Sequence, residues 1–515
     1  VITSFSPQGL VLDLPPFAAD PSAYTAMKNM RVAGVGVERA LGQQAFAGVL
    51  QVFPKFAMAV PVGNAIYLLY MGGGGVWATD GTTHFDVTPT TGWIDFTTGT
   101  MTGQLLNGIA IFSQPGAAPW YWDGALVANS VKPLPGWLTG SVTANVIAAF
   151  GQHAFAGSVA GAAATDGGRL CWSDAAALGT VPASWVPTAT NQAGELLLGT
   201  GAGRITAMKG LNASLMVYRR TGCFAVQYVG RPYIYTSRKL SADVGAASMN
   251  AVVEMRGQHV ILAPGDIVLT DGVSVRSIGD ERIKSSLFAQ VSESGLRISH
   301  AYGVPGNSEV VFCMAVGTDT AANVAYVWNY ERDKWSVRDL PDVAHSFYSY
   351  VPVVQPGAGG GDWAGDAQNW DADFSAWDSG ASGGFAPRAV GVSVVNKQAW
   401  LLEYGDVAEG GGNIDASVER MSLAIGDGDQ VCLVTRVMPR IAGSAGSIVN
   451  VSVGGQLAAG DPVAWSSPRQ YTIGVSRAVD CLVVGRYVSV KFEAAVNASW
   501  SVAGFDVEWR MRGKQ

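Results

Sequence analysis

The chain has 515 residues, 48% of them hydrophobic and only 14% charged, with a formal net charge of -7. That length exceeds one ordinary core of ~100–200 residues, the composition excludes a disordered chain, and the acidic balance excludes a nucleic-acid grip built on a basic face. So little charge also implies that much of the surface faces other protein.

With 65 Gly, 23 Pro and 16 Trp interleaved with β-branched residues, the chain reads as many short strands with few long helices. The opening Val1-Ile2-Thr3-Ser4-Phe5 lacks the basic start and apolar run of a signal peptide, and residues 1–45 are expected to form an extended N-terminal arm. Two long uncharged runs, from Phe56 to Thr79 and from Pro133 to Thr165, carry Pro, Gly and polar residues, so no membrane-spanning segment is expected.

From residue 46 onward, apolar strand-like runs recur: 65–70, 108–112, 153–156, 214–218, 259–262 and 309–313. This spacing suits propeller blades, each one four-stranded sheet. Asp-Gly pairs at Asp80-Gly81, Asp123-Gly124 and Asp271-Gly272 supply the positive-φ geometry of tight hairpins. Hairpin follows hairpin without amphipathic helices between them, which disfavours a parallel α/β fold. The expectation is an all-β, β-propeller-like core of six or seven blades over 46–405.

A Gly-, Trp- and Asp-rich insertion at 356–387 interrupts this core. Trp363, Trp370 and Trp377 recur every seven residues among Asp362, Asp366, Asp371, Asp373 and Asp378. Gly and Asp oppose a helix there, so the stretch reads as a long loop. Its three tryptophans are the candidate interface anchors, with packing on the protein's own surface and stacking on sugar rings as alternatives. In 406–515, two-residue alternation at Val449, Val451 and Val453, at Val488, Val490 and Phe492, and at Phe505, Val507 and Trp509 marks half-buried strands of a C-terminal β-sandwich.

Five segments resemble the podovirus (short-tailed bacteriophage) proteins known as tail nozzle, tail tubular or packaged-DNA stabilisation proteins. They are Tyr24 to Arg31 with Gly36-Val37-Glu38-Arg39 and Gly42; Arg169 to Asp174 with Trp185 and Asn191-Gln192-Ala193-Gly194; Gly265 to Gly272 with Ile278-Gly279; Trp328 to Ser336; and Gly485 to Val488 with Trp500 and Gly504. The resemblance implies a structural virion protein assembled in the host cytoplasm. It would form a homo-oligomeric ring of six below the head-to-tail adaptor ring, beside tail fibres and the tail needle, with double-stranded DNA passing its lumen.

No catalytic signature accompanies these segments. His84, His153, His259, His300 and His345 lack the H-E-x-x-H spacing of a zinc site, and Gly72-Gly73-Gly74-Gly75 lacks the Lys of a phosphate-binding loop. The five cysteines show no C-x-x-C pair and are expected as buried free thiols. The expectation is therefore a protein that is not an enzyme and has no cofactor, no metal and no catalytic residue. The alternatives are a carbohydrate-binding propeller and, behind it, a propeller glycoside hydrolase.

Overall fold

The computed structural model describes residues 2–4, 8–34, 36–96, 99–114, 116–161, 167–199, 203–317, 320–352, 385–425, 430–495 and 497–514. The described chain is all-β, a propeller joined to a sandwich, with two short helices, Lys284–Gln290 and Glu293–Ile298, between successive blades.

Five antiparallel four-stranded sheets follow one another. Blade 1 starts with the inner strand Phe56–Val62, blade 2 with Thr102–Leu106, blade 3 with Val146–Phe150, blade 4 with Ile205–Leu211 and blade 5 with Val252–Met255. A seven-stranded sheet then supplies two blades, because the 19-residue strand Lys334–Pro352 serves both. Its first half pairs with Ala322–Asn329 as the outer strand of blade 6, and its second half pairs with Phe385–Ser393 as the inner strand of blade 7. The inner strands neighbour one another in sequence order, and that of blade 7 returns to Phe56–Val62. The core is thus a closed ring of seven blades.

The runs at 65–70, 108–112, 153–156, 214–218, 259–262 and 309–313 fall on the second strands of blades 1 to 6. A second strand sits in mid-sheet with neighbouring blades on both faces, so it reads as a continuous apolar run rather than an alternation. His153–Gly157 and Glu309–Met314 are buried at every position. The Asp-Gly pairs join third to fourth strands. Asp271 accepts from the amides of Val273 at 2.8 Å and Ser274 at 2.7 Å while Gly272 takes φ 89°, and these bonds hold its carboxyl below the usual range.

Residues 1–45 are not an extended arm. Gln43–Val49 pairs with Gln398–Leu402 as the outer strand of blade 7, so the N-terminal part of the chain closes the ring. Ahead of it, Ala26–Lys28 extends one sheet of the sandwich beside Asp415–Ala424, while Met30–Ala33 and Gly36–Arg39 extend the other beside Trp500–Lys514. Met30, Val32 and Val37 enter the core as Arg31 and Glu38 stay partly exposed, a period-two pattern that an arm would have no reason to carry. Inside the sandwich, Val449, Val451, Val453, Val488, Val490, Phe492, Phe505 and Val507 are all buried.

Candidate functional site

Two places in the fold gather polar side chains away from water: the junction between propeller and sandwich, and the propeller axis. At the junction Arg338, 4% exposed, lies between two carboxylates. It donates to Glu309 of blade 6 at 2.8 Å and contacts Glu403, just past the third strand of blade 7, at 2.8 Å; Glu309 is 1% exposed. Arg31 approaches Glu309 at 3.8 Å from the sandwich side and Glu38 at 3.4 Å. Burial holds the Glu403 carboxyl above its usual range against the pull of Arg338. One oxygen each of Glu309 and Glu403 has no hydrogen-bond partner among the described residues. A cavity of about 210 Å³ adjoins this network, reached by Arg338, Glu403, Tyr302, Asn29 and Asp415.

The remaining junction contacts come from the N-terminal segment. The Asn29 amide donates to Asp339 at 2.8 Å and to the Asp415 carbonyl at 2.9 Å, and its carbonyl oxygen accepts from the Asp339 amide at 2.8 Å. Arg39 pairs with Asp406. Gly36 has to be glycine, since a Cβ there would lie 2.2 Å from the Val502 carbonyl oxygen; at Gly42 it would lie 1.9 Å from that of Val407.

The other segments behind the podovirus resemblance also serve packing. The Trp172 indole donates to the Gln192 carbonyl at 2.7 Å, Asp174 accepts from the Gln192 amide at 2.9 Å, and Gly194 lies against the indole face where a Cβ would meet it at 2.3 Å. In blade 6 the buried Trp328 donates to Asp333 at 2.9 Å, and Trp335 donates to the Ile278 carbonyl at 3.1 Å.

Along the axis runs a cavity of about 660 Å³, lined by inner strands of the blades. Its polar lining includes Gln104, Lys209, Asn250, Glu254, Arg256 and Glu309. Burial lowers the Lys209 ammonium, opposed by Glu254. At one wall the His345 ring lies 5.6 Å from that of His300 behind it, with the Phe56 ring tilted against His345 at 4.4 Å. Burial pushes His300 down to about 4 and holds His345 well below its usual value, so both are neutral imidazoles.

The candidate anchors Trp363, Trp370 and Trp377 lie outside the described residues, as does most of the insertion at 356–387. All five cysteines are buried free thiols. Among the described residues no group of three or more His, Cys, Asp or Glu could hold a metal ion, and no helix is long and apolar enough to cross a membrane. Sequence reasoning missed the Glu309–Arg338–Glu403 network. Its one visible signal was a charged residue directly preceding the apolar run Val310-Val311-Phe312-Cys313.

No family model and no curated protein matches the sequence. Among solved structures, the chain is similar to PorZ, a surface component of the type-IX secretion system of Porphyromonas gingivalis, at 11% identity and TM-score 0.35 over 84% of this chain, which spans 46% of PorZ. It is also similar to an exo-β-1,3-galactanase of Phanerochaete chrysosporium, at 8% identity and TM-score 0.27 over 91% of this chain and 100% of that one. A fungal alcohol oxidase matches at 8% identity and TM-score 0.36 over 93% and 99%. These likenesses assign no activity, substrate or partner to this chain. They do correct one expectation. Sugar hydrolases stand among its structural neighbours, so the reading of the chain as not an enzyme is withdrawn.

Proposed function

We propose that this chain is a structural subunit of the tail nozzle of a short-tailed bacteriophage. It builds a homo-oligomeric ring, six copies by the family resemblance, below the head-to-tail adaptor and beside tail fibres and needle. The ring retains the packaged genome and then passes double-stranded DNA through its lumen. One observation supports the reading most: the residues that carry the resemblance are spent on architecture. Asn29 and Arg31 tie the propeller to the sandwich, Arg39 holds the connector at Asp406, Gly36 and Gly42 permit close strand approach, and Trp172 with Gly194 and Trp328 with Trp335 pack blades 3 and 6. Residues used this way suit a rigid building block. Electron microscopy of virions containing the protein tests the proposal. A closed ring of copies around a DNA-wide lumen is expected, and a single copy per tail, or copies meeting through contacts below ~800 Å², would refute it.

A second reading is a carbohydrate-binding propeller, in which hydrolysis is a further step. The axial cavity favours it, since about 660 Å³ with Glu254, Glu309, Gln104 and Asn250 in the wall is in the size range of small-molecule sites, ~300–1,000 Å³. A glycan array with the purified chain separates the two: a specific glycan whose binding is lost in Glu254→Gln would establish this reading, and no retained glycan would remove it.

A further inference from the structure

Charge is unevenly placed around the propeller. Residues 203–245, which form blade 4, hold seven Lys or Arg and a single acidic residue, Asp243, so this blade carries +6 in a chain of net -7 and leaves -13 for the rest. Arg219 is buried and Lys209 lines the axial cavity, whereas Arg204, Arg231, Arg238 and Lys239 are exposed. Arg220 pairs with Glu293.

The same edge is apolar. The hairpin between Cys223–Gly230 and Ile234–Ser241 exposes Tyr228, Val229 and, at 77%, Tyr233; Leu197, on the outer strand of blade 3 against it, is 56% exposed. Ile234–Ser241 is the outermost strand of its sheet, so its outward backbone row has no strand partner among the described residues. Exposed tyrosines set among arginines are the composition of an interface centre, and an unpaired edge strand is a template for association.

We infer that this blade 4 edge docks a second copy of this chain, presented by the side where its blades 1 and 2 stand. Residues 46–135 there hold four Asp against two Lys, with no Arg or Glu; Asp86, Asp95 and Asp123 are exposed, as are the apolar Ile94 and Val127. Blade 1 stands three blades from blade 4 in a ring of seven, close to the opposite side. A contact joining different sides of successive copies is heterologous, and such contacts build a ring where the rotation between copies closes and an open filament where it does not. Opposite charge at the rims steers the encounter and sets its register, while the apolar side chains between them leave water. A DNA duplex would engage the cations through its phosphates and leave Tyr228, Val229, Tyr233 and Leu197 wet, so the surface fits protein better than a duplex. This docking rests on the assembly reading above.

The test is zero-length carbodiimide coupling on an equal mixture of ¹⁵N-labelled and unlabelled full-length chain, read by mass spectrometry, alongside sedimentation of the wild type, R238E/K239E and Y228A/Y233A. Links between labelled and unlabelled copies, joining Lys239 to Asp86, Asp95 or Asp123, are expected, with self-association weakened at least tenfold in either variant at low salt and unchanged circular dichroism. Assembly with Lys239 coupled elsewhere or only within one copy, or variants that assemble like the wild type, would overturn the docking and leave the assembly reading standing. A chain that never forms mixed links overturns it too, with virion imaging still deciding assembly itself. Salt-sensitive capture of a fluorescent DNA duplex, lost in R238E/K239E and unaccompanied by self-association, would reassign the surface to nucleic acid.

Discussion

Replacing Arg338 by Met asks what holds the propeller to the sandwich. The guanidinium is 4% exposed and lies 2.8 Å from each of two carboxylates, those of Glu309, 1% exposed, and Glu403, 14% exposed. Removing one partner of a buried ion pair costs about 3–5 kcal/mol, because the charge left behind has neither water nor a counter-ion. Arg31 is the remaining cation, at 3.8 Å from Glu309, too far to replace the lost hydrogen bond. R338M is therefore expected to lose about 3–5 kcal/mol of stability near pH 7.5. R338M/E309Q/E403Q, with no buried charge, should recover most of it.

The deficit has a pH signature. Burial already holds Glu403 above its usual range, and Arg338 is the largest of the groups that oppose this rise, with Arg31 behind it. Without Arg338 the folded pKa of Glu403 climbs further above its unfolded value. A carboxyl raised in this way contributes stability that is complete below its unfolded pKa and lost as pH rises through the folded one. The gap between R338M and wild type should accordingly narrow as pH falls from about 7.5 towards 5. Urea unfolding followed by tryptophan fluorescence reads this out, with the buried Trp328 and Trp335 of blade 6 as local reporters. R338M as stable as the wild type, or a deficit indifferent to pH, would refute the account.

Three further outcomes are expected. Gly36→Ala puts a methyl 2.2 Å from the Val502 carbonyl oxygen, so the N-terminal strands should detach from the sandwich at a cost of about 1–3 kcal/mol and expose residues before 42 to limited proteolysis; Gly412→Ala, with nothing within 4 Å, is the silent control. Gly194→Ala drives a methyl into the Trp172 indole and should lower the melting temperature and shift near-ultraviolet dichroism, whereas an unshifted spectrum would count against that packing. His300 and His345 are held neutral by burial. Depressed folded pKa values contribute stability that is present above about 6.5 and lost as pH falls towards the folded values, so H300Q/H345Q should lose less stability than the wild type between pH 6.5 and 4.

How much of this molecule can be read from its residues follows from where each interaction sits in the chain. Second strands of blades announce themselves because neighbouring blades bury both faces, so Leu68 to Met71 or Val310 to Cys313 form unbroken apolar runs. The turns at Asp80, Asp123 and Asp271 are local as well, since each carboxylate bonds amides two or three residues ahead. The sandwich strands show their alternation directly. What local pattern could not carry was every partner far away in sequence. Gln43–Val49 becomes a blade strand only by meeting residues some 350 positions later, and Gly36–Arg39 joins the sandwich only through Val502 and Ser501. Seven blades, rather than six, depend on one long strand serving two blades of a continuous sheet, which no spacing of apolar runs encodes. The buried network of Arg31, Glu309, Arg338 and Glu403 draws its charges from four separate strands or strand ends. Each looks like an ordinary solvated residue until tertiary packing removes the water around it, and only then do they need one another.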